Sequence, residues 1–184
     1  MAGVFNEAVL TQKGLALLAK AQGGLTTITL TKASSGDGSY AEGEDPSVRT
    51  ELKSKKQEFQ LETVSVWNST NVLVKFIITN YIDALHYLET GYYVKEIGIY
   101  ATDPDEGEIL YAIATAVTNQ WDYMPSSNNL IPSKIIIDMM IEVDNSANIS
   151  ISMPNRMYLY DIDTGDKYEL GIKNGLMYYE EVEE

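Results

Sequence analysis

The sequence predicts a mainly β protein of the α+β class: an N-terminal helix packed on an antiparallel β-sandwich-like sheet, with a small C-terminal β-meander. Three observations carry this. Stretches of period-two alternation, rich in Thr, Val, Ile and Tyr, recur from Leu25 onward. Clusters of Gly, Asp, Asn, Ser and Pro separate them at short intervals. Only residues 12–22 combine helix-forming composition with a start and a stop signal.

That helix opens at Thr11, a side chain suited to capping, and runs from Gln12 to Gln22. Gly23-Gly24 stops it. Leu15, Leu18, Ala19 and Gln22 are expected on its inner stripe, with Leu17 and Ala21 flanking. Gly14 costs the helix about 1 kcal/mol against alanine, so a close backbone contact is expected there. Leu25 to Ala33 reads as a strand. Ser34 to Ser39 reads as a loop or turn, since Gly36 and Gly38 permit positive φ. Pro46 opens a short helical turn through Leu52. Lys55 to Trp67 and Val72 to Thr79 read as a hairpin about the turn residues Asn68 to Asn71.

Tyr92 to Ala101 and Glu108 to Thr118 form a second strand pair around Thr102-Asp103-Pro104-Asp105-Glu106-Gly107. Asn119 to Pro132 is a polar connection. Ser133 to Val143 and Asn148 to Met153 close the main unit, residues 1–153. Residues 154–184 then carry three short strands, Met157 to Ile162, Lys167 to Ile172 and Leu176 to Tyr179, with Asn174-Gly175 as a hairpin turn. Three strands with one apolar face are marginal alone, so this appendage either stands apart or packs on the main unit.

Composition removes several chemistries. The 184 residues include no cysteine, which excludes disulfides, thiol nucleophiles, iron–sulfur clusters and Cys-based zinc sites. The single histidine, His86, rules out a histidine-rich metal centre. A net charge of −14 repels phosphate backbones and anionic lipid, so neither nucleic acid nor a membrane surface is an expected partner. The Lys53, Lys55 and Lys56 cluster lies beside Glu51 and Glu58 and reads as a solvated face. No apolar run approaches the roughly 18 residues a spanning helix needs. The N-terminus has no basic, apolar leader, so synthesis in the cytoplasm is expected.

Three blocks in order carry a resemblance: Phe5-Asn6-Glu7-Ala8-Val9-Leu10-Thr11-Gln12-Lys13-Gly14-Leu15-Ala16-Leu17-Leu18-Ala19-Lys20-Ala21; Leu30-Thr31-Lys32-Ala33-Ser34-Ser35-Gly36-Asp37-Gly38; and Gly91-Tyr92-Tyr93-Val94-Lys95-Glu96-Ile97-Gly98-Ile99-Tyr100-Ala101, followed by an acidic turn with Gly107 and then Ile109-Leu110-Tyr111-Ala112-Ile113-Ala114. Together they resemble the N-terminal, baseplate-attaching domain of phage tail fibres of the tail-collar type, over about residues 3–153. Ser133 to Met153 is similar to that family's closing hairpin. The resemblance implies a structural, non-enzymatic component of a phage tail or a related bacteriocin or injection device. It also implies baseplate proteins and a downstream fibre as partners, a homotrimer or other symmetric oligomer, a location in the particle's tail, and no cofactor or metal. Many such proteins continue into a long shaft, whereas only residues 154–184 follow here, so a fibre adaptor is expected alongside a fibre.

The candidate assembly contacts are Gly36, Asp37, Gly38, Glu96 and Gly98. The two glycines around Asp37 expose backbone to a neighbouring chain, or else make an ordinary turn in which the aspartate caps an N–H. Glu96 in an apolar strand needs a polar partner at a subunit or loop junction, or else points outward as period two predicts for Val94, Glu96 and Gly98. Gly98 lets a backbone or ring approach that face. The alternative function is a receptor- or carbohydrate-binding module built on Tyr158, Tyr160, Tyr168, Tyr178 and Tyr179. Asp103, Asp105, Glu106 and Glu108 make only a fragment of a calcium loop and read as a hairpin turn. His86 lacks a positioned nucleophile and reads as non-catalytic. Two-carboxylate glycoside hydrolysis is a third reading, but no carboxylate pair stands out.

Overall fold

The computed structural model describes residues 4–68, 70–81, 87–127, 132–143, 151–152, 157–160, 167–173 and 176–181. It divides into two compact units, Met1–Met153 and Pro154–Glu184. His86, residues 163–166 and the expected turn residues Asn174-Gly175 lie outside the described residues.

The first unit opens with β1 (Val9–Leu10) and α1 (Gln12–Gln22). It continues with β2 (Ile28–Gly36), a 3-10 turn (Pro46–Val48), β3 (Lys55–Phe59), β4 (Leu61–Val66) and β5 (Asn71–Thr79). Then come β6 (Tyr92–Val94), β7 (Glu96–Asp103), β8 (Gly107–Thr115), β9 (Asp122–Met124), β10 (Lys134–Glu142) and β11 (Ile151–Ser152). A 6-stranded sheet has the order β1-β8-β7-β2-β11, with β3 beside the other half of β2. A 3-stranded sheet has the order β10-β5-β4, and β6 pairs β9. Nearly all pairings are antiparallel; β11 on β2 is parallel.

One buried cluster joins α1 to both larger sheets. It contains Leu17, Leu18 and Ala21 from the helix, Ile28, Leu30, Ile99 and Tyr111 from the first sheet, and Val74, Phe76, Ile78 and Ile141 from the second. This is the sandwich-like core the alternation predicts. The helix has the expected bounds and cap: the Gly14 N–H donates to Thr11 Oγ1 at 2.9 Å. Its buried stripe, however, is Gly14, Leu17, Leu18 and Ala21, while Leu15 is half exposed. The reason is the cap. Thr11 is fully buried against β8, its hydroxyl donates to the Leu110 carbonyl, and Gly14 lies on the Tyr111 backbone. This anchor sets the helix rotation.

Several segments depart from the sequence expectation. Ser34 to Gly36 are strand, not turn, because they pair with both β3 and β7. Residues 55–67 are not one strand: the chain passes from the first sheet to the second at Gln60. Phe59 and Leu61 both point into the shared core, so alternation runs on through the switch and conceals it. Residues 92–101 likewise break at Lys95, between β6 and β7. The helical turn at Pro46 ends at Val48, short of Leu52. Among the described residues the closing segments do not pair as a hairpin: β10 pairs β5, and β11 pairs β2. The polar connection after Asn119 contains β9, which pairs with β6.

The second unit is an antiparallel meander of β12 (Met157–Tyr160), β13 (Lys167–Lys173) and β14 (Leu176–Glu181).

Candidate functional site

The central strand β7 is buried on both faces, from Glu96 through Ala101. One face belongs to the core. The other is covered by residues 37–54, a polar stretch that crosses the sheet as a strap. Leu52 is the strap's apolar contact, clustered with Tyr100, Leu110 and Ile113 and flanked by Tyr40. Gly98 makes room for this. A Cβ there would stand 2.6 Å from Leu110 Cδ1 and 3.1 Å from Leu52 Cδ2.

Glu96 fastens the strap. It is fully buried, and its carboxylate accepts four hydrogen bonds. The Gly38 N–H donates to Oε1 at 3.1 Å and the Ser54 N–H to the same atom at 2.7 Å. The Lys53 N–H donates to Oε2 at 3.0 Å and the Tyr40 hydroxyl at 2.7 Å. Both ends of the strap thus converge on one side chain. Burial, and then the bond to Glu96, push the Tyr40 phenol well above its ordinary range. Glu96 therefore does not point outward. With both faces of β7 covered, period two cannot sort solvent from core.

The structure brings Gly36, Gly38, Glu96 and Gly98 together. Neither Gly36 nor Gly38 has positive φ; they serve close approach. A Cβ on Gly36 would overlap the Ser54 carbonyl and stand 2.6 Å from Glu96 Oε1, and one on Gly38 would overlap that carboxylate. Asp37 lies apart, turned toward Lys56 at 3.2 Å. Partial burial raises its pKa, but hydrogen bonds from Ser54 and Lys56 outweigh this and hold it below the usual carboxylate value. Beside the strap's root, Tyr92 lies 2.5 Å from Ser35 Oγ and donates to Gln57 Oε1 at 3.0 Å. Burial pushes its phenol up to about 12.

Lys53 locks the strap internally. Its ammonium pairs with Glu44 at 2.5 Å, donates to the Ser39 carbonyl at 2.9 Å and lies 4.4 Å over the Tyr40 ring. In the sequence Lys53 reads as solvated, Leu52 as the end of a helical turn, and Tyr40 and Ser54 carry no signal of these contacts. The legible signal is Leu52, an apolar residue set between Glu51 and Lys53. An exposed aromatic group stands nearby in the first unit. Tyr93 meets Trp121 and Tyr123 at centroid distances of 5.9 and 5.0 Å, and Lys95 lies 4.2 Å over the Trp121 ring.

The acidic turn is explained by local bonds. Asp103 Oδ1 accepts from the Asp105 N–H at 2.8 Å and the Glu106 N–H at 3.2 Å, and the Lys20 ammonium pairs with Asp103 Oδ2 at 2.7 Å. In the second unit Tyr168 and Tyr179 meet edge to face at 5.7 Å, and Tyr178 and Tyr179 are exposed. Tyr158 and Tyr160 lie on β12, with side chains outside the described residues.

The profile of one family, phage tail-collar fibre protein, N-terminal, matches residues 1–165. No curated protein and no solved structure matches.

Proposed function

The chain belongs to the phage tail-collar fibre family through its N-terminal region, and from that premise we propose that it attaches to the baseplate as a tail fibre or fibre adaptor. Membership makes it a structural component of a phage tail. The finer reading adds that residues 1–153 are the attachment domain and residues 154–184 an appendage toward a downstream fibre. It also adds that the molecules assemble as a trimer or other symmetric set and catalyse no reaction. The observation that supports it is the strap. The mostly polar stretch 37–54 is held on the sheet by one buried carboxylate, so its outer side chains form a preorganised surface, which lowers the entropic cost of docking. In this reading Gly36, Gly38, Glu96 and Gly98 act from within, shaping the surface on which Asp37 is presented.

Electron microscopy of particles carrying a gold-labelled chain tests the proposal. The label is expected between baseplate and fibre, and particles lacking the chain should keep the baseplate and lose the fibre. A label on the sheath, or none on purified particles, overturns it.

A second reading, glycan or receptor binding by the appendage, draws on Tyr179, which is 73% exposed with the Tyr168 ring against it. Aromatic faces of this kind stack on sugar rings. Glycan-array binding lost on deletion of residues 155–184 would select this reading over the adaptor.

A further inference from the structure

At one corner of the first unit the two larger sheets meet and then part. Residues 4–10 follow the edge of β8: the Asn6 N–H donates to the Thr115 carbonyl at 2.9 Å, and Val9 and Leu10 pair with Ile113 and Ala112. They touch the second sheet at Ala8, which bridges in parallel to Ile141 near the end of β10. Beside this bridge, between residues 5–8 and Ile136 to Met140 of β10, lies a cleft of about 570 Å³. Ile97 and Ala114 of the core lie at its floor, with Phe5 and Met139 on its walls.

β10 is an edge strand of 9 residues. Among the described residues its free side carries the Ala8–Ile141 bridge and no other backbone pairing. Long edges that offer unpaired N–H and C=O groups are templates for another strand, and proteins ordinarily shorten or cover them. Here Ile136 is 70% exposed and Met140 54%. Glu7, Asp138 and Glu142 line the cleft; Lys75 pairs with Asp138 at 3.4 Å, so its acidic character rests on Glu7 and Glu142, which have no ion-pair partner among the described residues.

We propose that this cleft takes an extended segment of another tail protein, added as a strand along β10 from Ile136 to Met140, with apolar side chains directed to Phe5 and Met139 and basic ones to Glu7 and Glu142. Backbone bonds to the open edge supply affinity, and the alternating pockets and charges select the segment. A second copy of this chain suits the cleft poorly. Each copy carries a net charge of −14, and the Lys55 and Lys56 cluster belongs to β3, which is already paired with β2. The inference rests on the tail-component reading for the identity of the partner, but not for the chemistry of the cleft.

The test uses the full chain and synthetic peptides of β10's own length, 9 residues: one alternating lysine and valine, one alternating glutamate and valine, and the lysine peptide with alternate amides N-methylated. Saturable binding of the lysine peptide is expected, with slowed amide exchange in Ile136 to Met140. Affinity should fall about tenfold or more for the glutamate peptide, for the N-methylated peptide and for the exposed-site variant Glu7→Lys/Glu142→Lys. Absence of binding, protection located elsewhere, or equal binding of the N-methylated peptide overturns the proposal, the last because it marks unspecific charge attraction. Labelled particles test the tail role separately, so failure here leaves that reading standing.

Discussion

Glu96 is a side chain whose loss should be felt far from its own position. Its carboxylate offers acceptors only, and all four of its partners are donors. Glu96→Gln keeps size and shape but turns an –NH₂ group toward backbone N–H groups. The variant is expected to lose about 2–4 kcal/mol of stability, since buried donors left unpaired carry their full desolvation cost. Chemical denaturation measures that loss. Limited trypsin digestion reads its location, with cleavage at Arg49 in the strap accelerating before the rest of the chain is cut. A variant as stable and as protease-resistant as the parent would show that the strap is held by Leu52 and its apolar neighbours instead.

Among the elements, the helix shows most plainly how a local rule yields to a contact. Alanine exceeds glycine by about 1 kcal/mol in a helix interior, so propensity alone favours Gly14→Ala. The Tyr111 carbonyl occupies the place of the new methyl group. The substitution should therefore destabilise by about 2 kcal/mol, within the range for overpacked sites, as a lowered thermal midpoint would report. The bounds and cap of this helix were legible because Thr11, Gly23 and Gly24 act locally. Its rotation was not, because it is set by β8, about a hundred residues away. The strands divide in the same way. Period two located most of them and their mainly β class, but not the sheet change at Gln60, where inward side chains continue in phase. The candidate residues Gly36, Gly38, Glu96 and Gly98 were legible as residues out of keeping with an apolar strand or an ordinary loop. Their convergence was not, since Lys53 and Ser54 contribute backbone groups, which any residue type could supply.

Across the whole molecule, acid should act through a few fastened carboxylates. Asp103 is held below the ordinary range by hydrogen bonding from Lys20, Glu44 by hydrogen bonding from Lys53, and Asp45 by the Ser47 N–H. Folded values below the unfolded ones mean that the unfolded chain takes up protons first. The stability these groups contribute is complete above the unfolded range near pH 4 and is lost as pH falls through the lowered values. Thermal midpoints should stay level from neutrality to about pH 5 and drop below about pH 4. A parallel series on Asp103→Asn should start lower and decline less. The pairing of β11 with the opening half of β2 has another consequence, for biosynthesis. Ile151 must reach Ile28 before that border of the sheet is complete. A nascent chain still short of Ile151 on the ribosome therefore carries an unfinished margin, and distant partners of this kind slow the final closure. Chains broken off before that point should accumulate as insoluble material instead of as shortened, working parts.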